Sequence, residues 1–263
     1  MLKHLIVAAL VLAAAPAFAV DSSSHPGPGD EIVLKHVDWP QNGVFGTYDR
    51  AALQRGFQVY TEVCSACHAM HLLSYRNLTG IGYNEAEVKA IAAKVTVTDG
   101  PNDEGEMFDR PGRPSDRFKS PFANEKAARA ANNGAYPKDL SLMVKAREGN
   151  EDYVYSLLTG YVTPPEGVTV APGMYYNAAF PGHQIAMPPP LSDARVTFGP
   201  GADGKPAPND LASEAKDVVQ FLAWASEPNL EQRHRLGFAT MIFLSVFAVI
   251  MYLSKQRVWR DQH

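Results

Sequence analysis

Cys64-Ser65-Ala66-Cys67-His68 contains both cysteines of the chain, set as a single C-x-x-C-H. That is the spacing at which haem is attached covalently in c-type proteins. If the segment is helical, residues i, i+3 and i+4 share one face. Two thiols then reach the two vinyl groups at one haem edge, and the imidazole lies beneath the iron. A zinc knuckle built on Cys64 and Cys67 would draw on His68, His71 or His36, but no second C-x-x-C or H-x3–5-H pair follows. A thioredoxin-like dithiol needs a βαβ setting, whereas residues 56–63 read as helix. A disulfide between residues three apart in a helix would constrain almost nothing.

The ends of the chain carry two further signals. Lys3 and His4 precede an apolar run at 5–15, and Ala17-Phe18-Ala19 forms an A-x-A cleavage site, so 1–19 reads as a secretory signal peptide. Residues 236–253 are uncharged and mostly apolar, and at 1.5 Å per residue they reach roughly 27 Å, near the thickness of a bilayer core. Lys255, Arg257 and Arg260 follow in the tail at 254–263 and mark the cytoplasmic side, with Tyr252 and Trp259 suited to the interface. The expected topology is an exported body, one transmembrane helix and a short cytoplasmic tail.

Between these ends, 20–44 reads as an N-terminal lead-in whose Ser/Pro/Gly-rich residues 21–29 are flexible, and 45–235 as one cofactor-binding domain. Helical patterns fall at 49–63, 85–95, 123–131, 140–147, 153–160 and 213–226. Asn84 with Glu87 makes a capping-box-like start to the second. Gly/Pro-rich stretches at 99–121, 163–173 and 198–208 read as loop insertions, and no alternating pattern is long enough for a large sheet. The expected class is mainly α, with loop insertions and one C-terminal transmembrane helix.

Residues 20–235 hold 27 acids and 20 bases, a formal charge of −7. Asp99, Asp103, Glu104, Glu106 and Asp109 form the densest acidic stretch, which is either a solvated loop or a docking field for a basic partner. No basic stripe suggests nucleic acid.

The iron's second axial position decides between an electron carrier and an open, reactive site. Met1 leaves with the signal peptide, Met70 is too near His68 to cross the ring, and Met241 and Met251 lie in the apolar run. Met107, Met143, Met174 and Met187 remain, with His183 as a competitor and His25 and His36 more distant. Met187 precedes Pro188-Pro189-Pro190, which stiffens the chain beyond a ligand loop. The residues alone leave the choice open.

Beyond C-S-A-C-H, five segments resemble the cytochrome c1 family: GEMFDRPGRPSDRF (105–118), NEKAARAANNGAYPKDLSLMVKAREG (124–149), EDYVYSLLTGY (151–161), MYYNAAFPG (174–182) and IAMPPPL (185–191). The likeness runs in order from Val44 to Trp259. It implies one haem c on Cys64 and Cys67, with His68 and Met187 as iron ligands. It also implies Arg147 and Tyr153 at the propionates, and a pocket lined by Asn132, Ala135, Pro137, Met143, Leu157, Leu158, Phe180, Ile185 and Pro190. Lys138 departs from the family, which usually has a second proline there. The extra disulfide of some bacterial members has no cysteines here.

The implied role is electron transfer, with no catalytic residue beyond redox exchange, in the respiratory cytochrome bc1 complex. Cytochrome b and the Rieske iron–sulfur protein would be partner subunits, a soluble c-type cytochrome the acceptor, and membrane lipid the surroundings. The expected location is a bacterial inner membrane, with the haem domain in the periplasm. The alternatives are an anchored haem enzyme with an open iron site, or another anchored cytochrome feeding an oxidase.

Overall fold

The computed structural model describes residues 32–200, 204 and 206–261. The signal peptide at 1–19 and the flexible residues 21–29 lie outside them.

Helix α1, Arg50–Glu62, begins where the Asp49 side chain accepts the Ala51 and Ala52 N–H groups at 2.9 and 3.3 Å. Its buried residues Leu53, Phe57 and Tyr60 recur at helical spacing and face the core. Across the core lies helix α5, Leu211–Ser226, with Asp210 as its N-cap. Their closest approach is at Gly56, where a Cβ would fall 2.1 Å from the Asp217 carbonyl oxygen, so no larger residue fits without moving α5. Next to it Arg55 holds the buried Asp217 carboxylate with two bonds of 2.6 and 2.8 Å. Phe57, Tyr60, Tyr75, Phe118 and Phe221 form an aromatic cluster with ring centroids 4.9–6.0 Å apart.

The shorter elements surround this pair. Helix α2, Glu85–Ala93, carries the expected capping box, with Asn84 and Glu87 bonded reciprocally at 2.8 and 2.9 Å. Strands β1 (Thr96–Asp99) and β2 (Phe108–Pro111) form an antiparallel hairpin whose second strand falls inside the stretch 99–121 read as loop. Helices α3 (Glu125–Ala131) and α4 (Asn150–Leu158) follow, then the two-residue strands β3 (Tyr175–Tyr176) and β4 (Gln184–Ile185).

Three details differ from the sequence reading. A 3-10 helix at Tyr75–Ile81, started by a Ser74/Asn77 capping box, was not anticipated. Residues 140–147 form successive turns instead of a helix. Leu140 N is bonded to the Ala69 carbonyl and Ser141 N to the Asp139 carboxylate, which ties the start of the segment to the chain just after the C-x-x-C-H motif. In the lead-in, Asp152 of α4 pins the chain by accepting from Val37 N and Trp39 Nε1, and Trp39 joins the core.

Helix α6, Leu230–Trp259, is thirty residues long and contains the apolar run within a longer rod of about 45 Å. Its apolar residues are exposed on every side, which distinguishes it from a core helix and gives it the length and character to span a membrane. At its root Glu227 pairs with Lys145 and Arg233, and Glu231 with Arg50.

Candidate haem site

Helix α1 ends at Glu62, and the motif continues it as a single 3-10 turn, Cys64–Ala66. The Cys64 carbonyl accepts both the Cys67 and the His68 N–H, at 3.1 and 2.8 Å. The tight turn still gathers both thiols and the imidazole at the end of α1. Cys67 is exposed and Cys64 half-buried, packed against the core. Burial, reinforced by Cys67, pushes the Cys64 thiol up to about 12.

His68 Nδ1 lies 2.7 Å from the Lys138 carbonyl oxygen. A carbonyl can only accept, so Nδ1 carries the hydrogen and Nε2 of the neutral ring keeps its lone pair. Burial pushes the His68 pKa down, against the smaller opposing effects of the Lys138 carbonyl and Asp139. The ring is therefore neutral, with one nitrogen oriented and the other ready for a metal. The contact uses the Lys138 backbone and not its side chain, so this bond does not depend on which residue stands at 138. The loop that presents the carbonyl is braced by Asp139. Its carboxylate accepts His71 N and Ser141 N, both at 2.8 Å, and bonds the His71 ring at 2.6 Å. Burial alone would raise the Asp139 pKa, but these hydrogen bonds outweigh it and hold it below the usual carboxylate range. His71 reaches Ser120 through its other nitrogen at 2.9 Å, and His36 is bound to Asp152. Among the described residues no three of His, Cys, Asp and Glu gather as a metal cluster.

Met187 lies just beyond β4, in a segment held from behind. Tyr161 Oη donates to the Met187 carbonyl at 3.0 Å. The wholly buried Asn177 donates to the Leu157 carbonyl at 2.8 Å and accepts Ala179 N at 3.0 Å, tying the β3–β4 ribbon to α4. His183 sits at the ribbon's bend with φ +56°, stacked on Tyr176 at 5.6 Å, its Nδ1 3.3 Å from the Asn177 carbonyl.

The remaining candidates fall on three segments. Asn132, Ala135 and Pro137 follow α3, Met143 and Arg147 lie on the turns at 140–147, and Tyr153, Leu157 and Leu158 lie on α4. Phe180, Ile185 and Pro190 accompany Met187. Burial raises the Tyr153 phenol pKa, and the nearby Arg147 guanidinium offsets part of that rise. Of these residues only Tyr153 and Ile185 are buried; Met143, Leu157, Leu158, Phe180 and Met187 stay half-exposed although they are apolar. Half-exposed apolar side chains on these segments, together with the C-x-x-C pair and an oriented imidazole, are the residue types that a haem requires. Sequence reading missed the Lys138 carbonyl, Tyr161, Asn177 and the Asp139 brace, all of which act across long separations.

Fold and site together define a mainly α-helical haem protein with a C-terminal helix long and apolar enough to cross a membrane. A model of the cytochrome c1 family matches residues 39–262. Cytochrome c1 of Rhodospirillum rubrum is 43% identical over an alignment of 272 residues, covering 97% of this chain and 98% of the relative. The chain therefore belongs to the cytochrome c1 family. A mitochondrial cytochrome c1 heme protein of Arabidopsis thaliana is 53% identical over 208 residues, 79% of this chain and 66% of its own length. A Bradyrhizobium diazoefficiens protein named cytochrome b/c1 is 49% identical over 247 residues, 86% of this chain but 35% of that longer protein. The chain thus spans about two thirds of the plant relative and about a third of the Bradyrhizobium one.

Proposed function

We propose that the chain is a membrane-anchored, mono-haem c-type cytochrome of a bc1 complex. It takes an electron from a Rieske iron–sulfur protein and passes it to a soluble c-type cytochrome. The observation that carries this reading is the 2.7 Å bond from His68 Nδ1 to the Lys138 carbonyl, which prepares Nε2 as an axial ligand directly beside the C-x-x-C pair. Family membership supports it, as does the Bradyrhizobium name, which joins b with c1.

A bound haem supplies the one-electron ferric/ferrous couple. Everything else is work for this chain. Cys64 and Cys67 would hold the group through their sulfurs, and His68 and Met187 would bind its iron, the soft Met187 thioether favouring the ferrous state and a high potential. Arg147 would add a fixed positive charge near the propionates and act in the same direction by disfavouring the ferric state. Ala135, Pro137, Met143, Leu157, Leu158, Phe180, Ile185 and Pro190, with the polar Asn132 among them, would line the pocket and keep water from the ring, and the exposed Cys67 would leave an edge near the surface. In this reading α6 crosses a bacterial inner membrane with the haem domain in the periplasm and the basic tail in the cytoplasm.

The deciding experiment is carbon monoxide binding to the reduced, detergent-solubilised protein. Wild type should not bind it, and Met187→Leu should bind it while keeping covalent haem and losing potential. His183→Ala should behave as wild type. Carbon monoxide binding by wild type would favour an open-site haem enzyme, and binding by the His183 variant alone would move the ligand to His183.

A further inference from the structure

The chain entering α1 runs alongside α6. Glu231 accepts Tyr48 N at 2.8 Å and an Arg50 N–H at 2.6 Å, His234 Nδ1 donates to the Gly46 carbonyl at 3.2 Å, and Phe238 meets Phe45 edge-on with centroids 5.8 Å apart. Residues 231, 234 and 238 share one face of the helix. As α6 advances from 231 to 238, about 10 Å at 1.5 Å per residue, its neighbour goes back from Arg50 to Phe45. The apolar run starts at Leu236, so Phe45 stands level with a residue already inside it.

The segment ends in a built turn. Gly46 N donates to the Gly43 carbonyl at 3.2 Å, and Thr47 N to the Pro40 carbonyl at 3.0 Å. Gly43 needs its φ of +83°, and a Cβ on Gly46 would lie 2.2 Å from the Gln41 carbonyl oxygen. Trp39, Gln41 and Tyr48 bury the base of the turn, whereas Val44 and Phe45 at its tip are 69% and 77% exposed. No charged side chain lies between residues 42 and 48. Two large apolar residues are thus held out by a rigid turn against the apolar surface of the anchor helix.

We propose that the 43–46 turn is a second membrane contact, with Val44 and Phe45 inserted among the lipid acyl chains beside α6. The proposal rests on α6 crossing the bilayer. Lipid is the occupant because the tip continues the lipid-facing surface of α6 at the depth set by Phe238. A single helix leaves the haem domain free to turn about its axis. A second contact point removes that freedom and holds the haem edge at a fixed orientation to the membrane.

The test is nitroxide accessibility in the full, haem-loaded chain in phosphatidylcholine nanodiscs, together with any subunits that co-purify. The haem is kept reduced so that it does not relax the label. Val44→Cys is compared with Val246→Cys on α6 and Asp103→Cys on the exposed hairpin. Position 44 should resemble 246, severalfold more accessible to oxygen and less to a nickel chelate than position 103. If 44 is open to the chelate while 246 is lipidic, the turn lies in water; the proposal fails and the anchor stands. If 44 is closed to both reagents, protein covers the turn and the proposal fails. If 246 is open to the chelate, the anchor reading fails and takes the proposal with it.

Discussion

The Lys138 carbonyl accepts the His68 Nδ1 hydrogen across a separation of 70 residues, so the imidazole is aimed by a loop and not by its own helix. Because the contact is a backbone one, Lys138→Ala should leave haem content and absorbance spectrum at wild-type values. Asp139→Ala should not. It frees two N–H groups and the His71 ring together, a loss of about 1–3 kcal/mol. In a domain of this size each kcal/mol is roughly 2–4 °C in Tm. A thermal melt followed at the Soret band checks both variants; equal melting of Asp139→Ala and wild type would remove the brace.

The hairpin divides the acidic stretch into two groups. Arg110 binds Asp99, and Asp109 accepts the Thr98 hydroxyl at 2.7 Å, which leaves Asp103, Glu104 and Glu106 exposed at the tip. These three are the ones expected to steer a basic acceptor. Reduction of a basic soluble cytochrome should slow as salt rises, since screening cuts the steering range to about 8 Å at physiological ionic strength. Neutralising the three together should flatten that dependence in stopped-flow rates. An unchanged slope would leave the tip with a solubility role only.

Much of this was legible from the residues because local chemistry and tertiary packing agree. Asn84 caps its helix where the apolar period begins, and the Cys/His spacing fits the turn after α1. The mainly helical class and the apolar C-terminal helix follow from the same signals. Legibility failed where a distant partner decides. The 140–147 pattern is amphipathic, yet the segment forms turns, and Leu140 N at its start is held by the Ala69 carbonyl. The β1–β2 hairpin lies among glycines and prolines, although the β-branched run Val95-Thr96-Val97-Thr98 was a usable strand signal. Tyr161 and Asn177 lie in segments that resemble the family, but nothing local shows their roles, which become visible only when α4 and the ribbon are in place.

Arg110 also sets an acid limit. Its guanidinium holds the Asp116 carboxyl at about 2 by direct hydrogen bonding, and keeps Asp99 below its usual range. A carboxylate with a depressed folded pKa adds stability that is complete above its unfolded value of 3.8 and is lost as pH falls toward 2. Melting temperature should therefore drop across pH 4 to 2, and Arg110→Gln should make that limb shallower while lowering the plateau above it. Parallel limbs for variant and wild type would show that other carboxylates govern acid unfolding.

Tyr161 offers the finest test of the ligand loop, because its hydroxyl touches the Met187 backbone and leaves the sulfur alone. Tyr161→Phe removes one hydrogen bond of 3.0 Å, worth about 1 kcal/mol net. If that bond helps hold Met187 on the iron, the population with the thioether displaced should rise about fivefold, since 1.4 kcal/mol is a factor of ten. Added imidazole competes for the same position, so its apparent affinity for the ferric protein should rise by the same factor. The covalent haem should be retained, and the spectrum without imidazole should remain that of the Met-ligated form. Met187→Leu should bind imidazole more tightly than either, because no internal ligand competes. Should Tyr161→Phe lower the melting temperature and leave imidazole affinity unmoved, the hydroxyl stabilises the fold without gating the iron, and the hold on Met187 must come from Asn177 and the prolines that follow.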